Sequence, residues 1–225
     1  MIKNQEYEDI IFNSGLKALK LDIKIPYKII YQELLQLNHL MVSQINNNKW
    51  QGATIRGLDS DKPRPYYEYG YKSDSEVPYK WTKESEICKI TKKMIKEIFG
   101  NCSLYRIKVN VLHPNGKIHL HNDSNRSALG LSDKTSDSDS TFVSFAIHWP
   151  NEVIFNLADI RIPFKSGDVY LLDFSKNHEV YNPTKETRYY LLVTGKLHQS
   201  KKWQNLVIKS YKKFHTINFE KKVQF

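Results

Sequence analysis

From Leu104 the chain changes its rhythm. Tyr105, Ile107, Val109 and Val111 alternate with Arg106, Lys108 and Asn110. This is the two-residue period of a strand whose faces see different surroundings. Pro114-Asn115-Gly116 follows as a turn signal. Lys117–His121 then resumes an extended pattern, with His119 and His121 on one face opposite Ile118 and Leu120. Five more short segments are rich in branched and aromatic residues: Thr141–Trp149, Glu152–Leu157, Val169–Phe174, His178–Tyr181 and Thr187–Thr194. Turn signals at Trp149-Pro150-Asn151, Lys165-Ser166-Gly167-Asp168 and Asn182-Pro183-Thr184 separate them. In the last segment Arg188, Tyr190, Leu192 and Thr194 share one face, and Tyr189, Leu191 and Val193 the other. Many short strands at regular spacing predict a β-sandwich or barrel.

Helical spacing brackets this region. After Pro26, the apolar residues Ile30, Leu34, Leu37, Met41 and Ile45 predict a helix over Tyr27–Ile45. Thr82 is placed to cap a second helix that runs to Phe99. Ile87, Ile90, Met94, Ile95 and Ile98 form its buried face, and Gly100 is its stop. Before Pro26, Phe12, Leu16, Leu19 and Leu21 suggest short buried pieces. Trp50–Asp59 reads as a strand. A long ordered loop rich in Pro and Tyr follows to about Lys80, including Tyr66, Tyr67, Tyr69 and Tyr71. Arg56 and these tyrosines are candidates for substrate contact, with surface packing as the plainer reading. Beyond Lys201 a basic segment carrying Trp203, Leu206, Val207, Tyr211 and Phe214 predicts a helix followed by an arm.

The expected organisation is one structural domain in three regions. Residues 1–100 form helices and loops packed on the core, residues 101–200 the β core, and residues 201–225 a basic extension. A chain of 225 residues can bury a sizeable core. No apolar run follows the start, so neither a signal peptide nor a membrane span is expected. Cys88 and Cys102 do not make a disulfide framework and suit a reducing cytoplasm. The net charge of +10 raises nucleic acid as a partner. The lysines are scattered, however, which favours a solvated basic surface.

Chemistry enters between Lys117 and Arg188. His121 and Asp123 form a His-x-carboxylate pair at a strand end, and His178 opens a later strand. Two imidazoles and one carboxylate can hold iron(II) and leave positions open for a co-substrate and dioxygen. Arg188, ten residues after His178, offers a planar cation for a carboxylate such as the far end of 2-oxoglutarate. Each piece has a bland counterpart. Asn122-Asp123-Ser124 would make an ordinary turn, and an isolated His178 would be a packing residue. It is their combination on a β pattern that points to a metal. The acidic, serine-rich stretch Ser124–Ser140 lacks the calcium-loop spacing. It reads as a solvated loop leaving the site, able to act as a lid.

The same residues resemble the aspartyl/asparaginyl β-hydroxylase family of iron(II)/2-oxoglutarate dioxygenases. The matching pieces are Pro114-x-Gly116-x-Ile118-x-x-His121-x-Asp123, His148-x-Pro150, Gly167-Asp168 with Leu172-Asp173, and His178-x-Val180-x-Asn182 followed by Arg188. They span about Arg106–Leu197. The resemblance implies a mainly β fold with flanking helices, built on a double-stranded β-helix, or jelly-roll, core. It implies iron at His121, Asp123 and His178, and 2-oxoglutarate at Arg188. It also implies help from His148 in holding the co-substrate. Substrates would be amino-acid side chains, free or in a polypeptide. The chain departs from the family pattern at Ala146, where an Arg is frequent; Arg106, Arg126 and Arg161 are candidate replacements. Two other functions stay open at this point: a non-catalytic jelly-roll binding module, and an oxygenase directed at nucleic acid.

Overall fold

The computed structural model describes residues 4–44, 47–58, 69–72, 76–100, 102–123 and 140–225. Its helices are α1 (Gln5–Glu8), α2 (Tyr27–Leu35), α3 (Glu84–Ile87), α4 (Lys89–Phe99) and α5 (Lys201–Phe214). The strands are β1 (Ala18–Lys20), β2 (Val42–Gln44), β3 (Asn47–Gly57), β4 (Lys80–Trp81), β5 (Ser103–Leu112), β6 (Gly116–His121) and β7 (Thr141–His148). They continue with β8 (Ile154–Leu157), β9 (Ile160–Arg161), β10 (Val169–Leu172), β11 (His178–Asn182), β12 (Arg188–Lys196) and β13 (Glu220–Lys221).

The strands form two antiparallel sheets. The larger runs β1-β10-β7-β12-β5-β3-β2, with β4 added to β3. The smaller runs β13-β9-β8-β11-β6. Alternation along the large sheet divides its side chains between two cores. Ile107, Val109 and Val111 of β5, Val143, Phe145 and Ile147 of β7, and Tyr189, Leu191 and Val193 of β12 face the helices. There they meet Ile30 and Leu34 of α2, Ile95 and Phe99 of α4, and Trp203 and Val207 of α5. The opposite faces close on the small sheet. Phe142, Ala146, Tyr170, Leu172 and Tyr190 pack there with Ile118, Phe155, Leu157 and Val180. The result is a jelly roll with a helical layer on one outer face.

The helical layer differs in three places from the periodicity. The helix expected over Tyr27–Ile45 ends at Leu35; a 3-10 turn, Asn38–Leu40, follows, and Val42–Gln44 is β2. Pairing of Val42 with Gly52 and Ser43 with Gln51 gives those residues ladder partners that a helix extension would forgo. The helix expected from Thr82 to Phe99 breaks at Cys88 (φ −93°, ψ 50°). The first turn of α4 then meets Glu33 of α2. The Glu33 carboxylate accepts from the Ile90 N–H (2.6 Å), the Thr91 N–H (2.8 Å) and the Thr91 hydroxyl (2.7 Å). A buried carboxylate at a helix N-terminus satisfies orphan amides and complements the dipole. Phe12, expected in a buried piece, is 52% exposed.

The first hundred residues supply four strands as well as helices, all on the large sheet. The end of the chain also joins the β structure. After α5, Glu220 and Lys221 pair with Arg161 and Ile160. The core of the tyrosine-rich loop (59–68), the stretch expected as a lid (124–139) and Arg126 lie outside the described residues. Among the described residues no helix is long and apolar enough to cross a membrane.

Candidate metal and co-substrate site

The two imidazoles reach each other through an irregularity in strand pairing. Val180 of β11 pairs with Ile118 of β6, but His178, two residues earlier, pairs with His121, three residues later. One extra residue in β6 therefore bulges. Simple alternation would put His121 with His119 on the face opposite Ile118. The bulge instead turns His121 to the side of Ile118, Val180 and His178, toward the small sheet's core. Bulges re-aim side chains in this way beside functional sites. Leu120, in the bulge, is left 52% exposed.

The rings of His121 and His178 stand 4.2 Å apart, centroid to centroid. Each is held by the same device. His178 Nδ1 lies 3.0 Å from the Lys176 carbonyl, and His121 Nδ1 lies 2.7 Å from the His119 carbonyl. A carbonyl only accepts, so Nδ1 carries the proton in both rings. In the neutral form of either ring Nε2 is then the bare nitrogen, free to ligate. Asp123 follows on the same edge, its N–H donating to the Phe174 carbonyl at 3.0 Å. One ligand atom from each of His121, Asp123 and His178 lies within 4.8 Å of the others. Two donors about 2.1 Å from a shared ion stand at most ~4.2 Å apart, so small side-chain rotations bring the set to bonding distance. Phe174 packs edge-on to His178 at 4.6 Å and Phe155 lies parallel at 6.4 Å. Burial foremost, then the neighbouring His121, lowers the His178 pKa to about 4. The ring is thus neutral, as a ligand must be, across the physiological range.

Arg188 lies on the face of the large sheet that closes on the small sheet. It is 2% exposed, on the inner face of β12 beside Tyr190. Its guanidinium carbon lies 4.9 Å from the Trp149 ring centre and 4.7 Å from that of Tyr190. Its Nε and Nη1 are buried and have no hydrogen-bond partner among the described residues. Two aromatic rings thus position a cation whose donor edge is unmatched. Burial lowers its pKa to about 10. The Tyr190 hydroxyl donates to Ser144 Oγ, and burial raises its pKa. An unmatched buried guanidinium is costly, and a carboxylate is the planar anion that fits it.

His148 is not brought to this group. Tyr190 pairs with Ala146 while Tyr189 pairs with His148, so a second bulge falls in β7. It turns His148 to the helix side, stacked on Tyr31 of α2 at 4.6 Å, with Nε2 3.2 Å from Glu186. The co-substrate role expected for His148 is therefore corrected: its ring faces the wrong side of the sheet. Ala146 remains inside, buried against Tyr190. Of the candidate replacements for the family Arg, Arg161 is engaged with Glu220 on the outer edge of the small sheet. Sequence reading missed Trp50, Lys108 and Asn110 as inner-face neighbours. Trp50 Nε1 donates to Asn110 Oδ1 at 3.3 Å, and its ring lies 6.5 Å from that of His121. The alternation of β5 had already put Lys108 and Asn110 on one face; the signal missing was which face is the inner one.

A family profile described as aspartyl/asparaginyl beta-hydroxylase matches residues 26–196. The chain belongs to the aspartyl/asparaginyl β-hydroxylase family. By that profile it is an enzyme of the hydroxylating kind. A 2OG-Fe(II) oxygenase family protein from Burkholderia pseudomallei has a similar fold, with a TM-score of 0.51 at 11% identity. That likeness covers 87% of this chain and 93% of the other. A prolyl-4-hydroxylase from Pseudomonas putida is more distantly similar, at TM-score 0.43 and 11% identity over 84% of this chain and 95% of the other. No protein of curated function matches the sequence.

Proposed function

We propose that His121, Asp123 and His178 hold iron(II), that Arg188 holds the distal carboxylate of 2-oxoglutarate, and that the substrate is an amino-acid side chain, free or in a polypeptide. The observation that carries this reading is the buried, unmatched edge of Arg188 beside Tyr190, on the face of the large sheet that packs with Ile118 and Val180 of the two ligand strands. When bound, iron and 2-oxoglutarate supply the oxidising chemistry, with succinate and carbon dioxide as co-products. The protein's own residues orient and shield. The Nδ1–H bonds to Lys176 and His119 keep both imidazoles in the ligating tautomer. Trp149 and Tyr190 fix the plane of the guanidinium, so its donors meet a carboxylate without reorganisation. Phe155 and Phe174 keep water off the buried face of His178. The free thiols of Cys88 and Cys102 support a cytoplasmic setting.

The test is succinate formation from 2-oxoglutarate with iron(II) and ascorbate, in wild type beside His121→Ala, with pooled amino acids and peptides added. Metal-dependent succinate that is lost in the variant, and stimulated by one pool, is the expected result. Failure of anaerobic iron(II) and 2-oxoglutarate to bind the wild type would remove the reading. A non-catalytic binding module would then lead.

A further inference from the structure

Lys108 is a basic side chain pointed into the interior, with no carboxylate paired to it among the described residues. It lies on the inner face of β5, one inward position from Asn110. Its Nζ donates to Gln44 Oε1 at 2.6 Å and stands 5.5 Å from the Trp50 ring centre. An ammonium has three donors, and one neutral amide oxygen leaves two of them to be met.

The recess is built rather than incidental. A Cβ at Gly52, on the neighbouring β3, would fall 3.0 Å from Lys108 Cε and 2.8 Å from the Val109 carbonyl. The approach of the Val109 carbonyl requires glycine there, and the missing side chain leaves room for the lysine stem to lie across the strand. Gln44 of β2 is itself braced, its Nε2 donating to the Val42 carbonyl at 2.9 Å. Trp50, pinned to Asn110, neighbours both the Lys108 Nζ and the ring of His121. Burial, and then the nearby Arg106, lowers the Lys108 pKa to about 7, with the Asp123 charge opposing them, so an anion brought by a ligand would hold the ammonium form.

We propose that the Lys108–Gln44–Trp50 recess receives a carboxylate of the substrate, and so selects acidic substrates over their amides. The inference rests on the oxygenase reading above and specifies its substrate class. One ammonium matches one carboxylate charge, and the Trp50 face offers a flat wall for a planar group. The steps of 5.5 Å from Nζ to Trp50 and 6.5 Å from Trp50 to His121 put the anion within reach of a molecule whose reacting carbon stands at the ligands. Lys108 would be a substrate-binding and specificity residue, apart from the ligands and from Arg188.

The experiment is calorimetric titration of the anaerobic iron(II)/2-oxoglutarate complex. The probes are L-aspartate, L-asparagine and the α-amide of aspartate, then the corresponding glutamate set and short peptides bearing Asp or Asn. In wild type at least one acid is expected to bind about 10-fold more tightly than one of its amides, the scale of a hydrogen bond to a charged group. Which amide loses shows whether the side-chain or the main-chain carboxylate is read. Lys108→Met removes the preference with 2-oxoglutarate affinity unchanged, and Lys108→Arg keeps part of it. Gln44→Leu, which leaves the lysine in place, weakens the preference and checks against misfolding of the first variant. Equal affinity for acid and amide throughout the wild-type panel, or a preference that survives in Lys108→Met, overturns the proposal. Loss of 2-oxoglutarate binding by wild type would instead strike the oxygenase reading. The panel is then run on the protein alone, with the same two outcomes deciding.

Discussion

His121 and His178 are direct partners across β6 and β11, although the pair two positions along β11 is offset by three along β6. The proposed metal site is therefore a property of one strand pair with a defect in it. Both imidazoles hang from the same ladder, and both are locked by the carbonyl two residues before them. Replacing either one by Asn shortens the reach to the ion. The expected outcome is loss of iron(II) binding by calorimetry with the thermal transition of the metal-free protein retained.

Arg188 predicts opposite effects on stability and on co-substrate use. With its pKa lowered to about 10, the folded metal-free protein bears the cost of an unmatched buried charge at every pH below that value. Arg188→Met should raise the stability of the apoprotein by ~1–3 kcal/mol, since an apolar side chain replaces an unmatched buried cation. It should also raise the 2-oxoglutarate requirement by roughly 10- to 100-fold, with iron binding intact. Denaturant melts with and without 2-oxoglutarate check both. A variant less stable than wild type, with an unchanged requirement, would refute the assignment.

His178 sets a pH dependence in the metal-free protein. Its folded pKa is about 4, against an ordinary value of 6.5. Between these values the unfolded chain binds a proton that the folded chain does not. The stabilisation is complete above 6.5 and is lost as pH falls toward 4. Melting temperatures of chelator-treated protein should fall over that window, and fall less steeply in His178→Asn. Parallel slopes would show that another group carries the effect.

Glu33 holds α4 to α2 through three hydrogen bonds. Glu33→Ala should cost about 2 kcal/mol, as removal of a cap that leaves buried donors unmatched does. Succinate formed per folded molecule should not change, because α2 and α4 pack on the outer face of the large sheet. Urea melts and an activity assay at low temperature separate the two effects.

What could be read from the sequence follows from how local each signal is. The alternation of β5 and β12 is written in consecutive residues, so the strands and the residues that share each face were legible, but not which face is the inner one. His121, Asp123 and His178 were legible through their spacing. The two bulges were not, because a bulge is decided by the partner strand: nothing in Ile118-His119-Leu120-His121 says that Val180 will take Ile118 as its partner. The same blindness misplaced His148, which the β7 bulge turns to Tyr31. Helix periodicity ran on past Leu35 because Met41 fits the stripe, and only the pairing of β2 with β3 reveals the stop. Strands of two or three residues, such as β1 and β9, are too short to display a period at all. Lys108 needed Gly52, more than fifty positions away, before its recess had a floor.

The large sheet separates two cores by the thickness of a single backbone, and along β12 neighbouring residues belong to different ones. Substitutions there will fail for different reasons. Tyr189, Leu191 and Val193 support the helical layer, so damage to them removes the protein from the cell. Arg188 and Tyr190 border the proposed co-substrate site, so damage to them should leave a folded but idle enzyme. Saturation mutagenesis of this strand, scored once for abundance and once for turnover, should resolve into two interleaved patterns with the parity of the residue number.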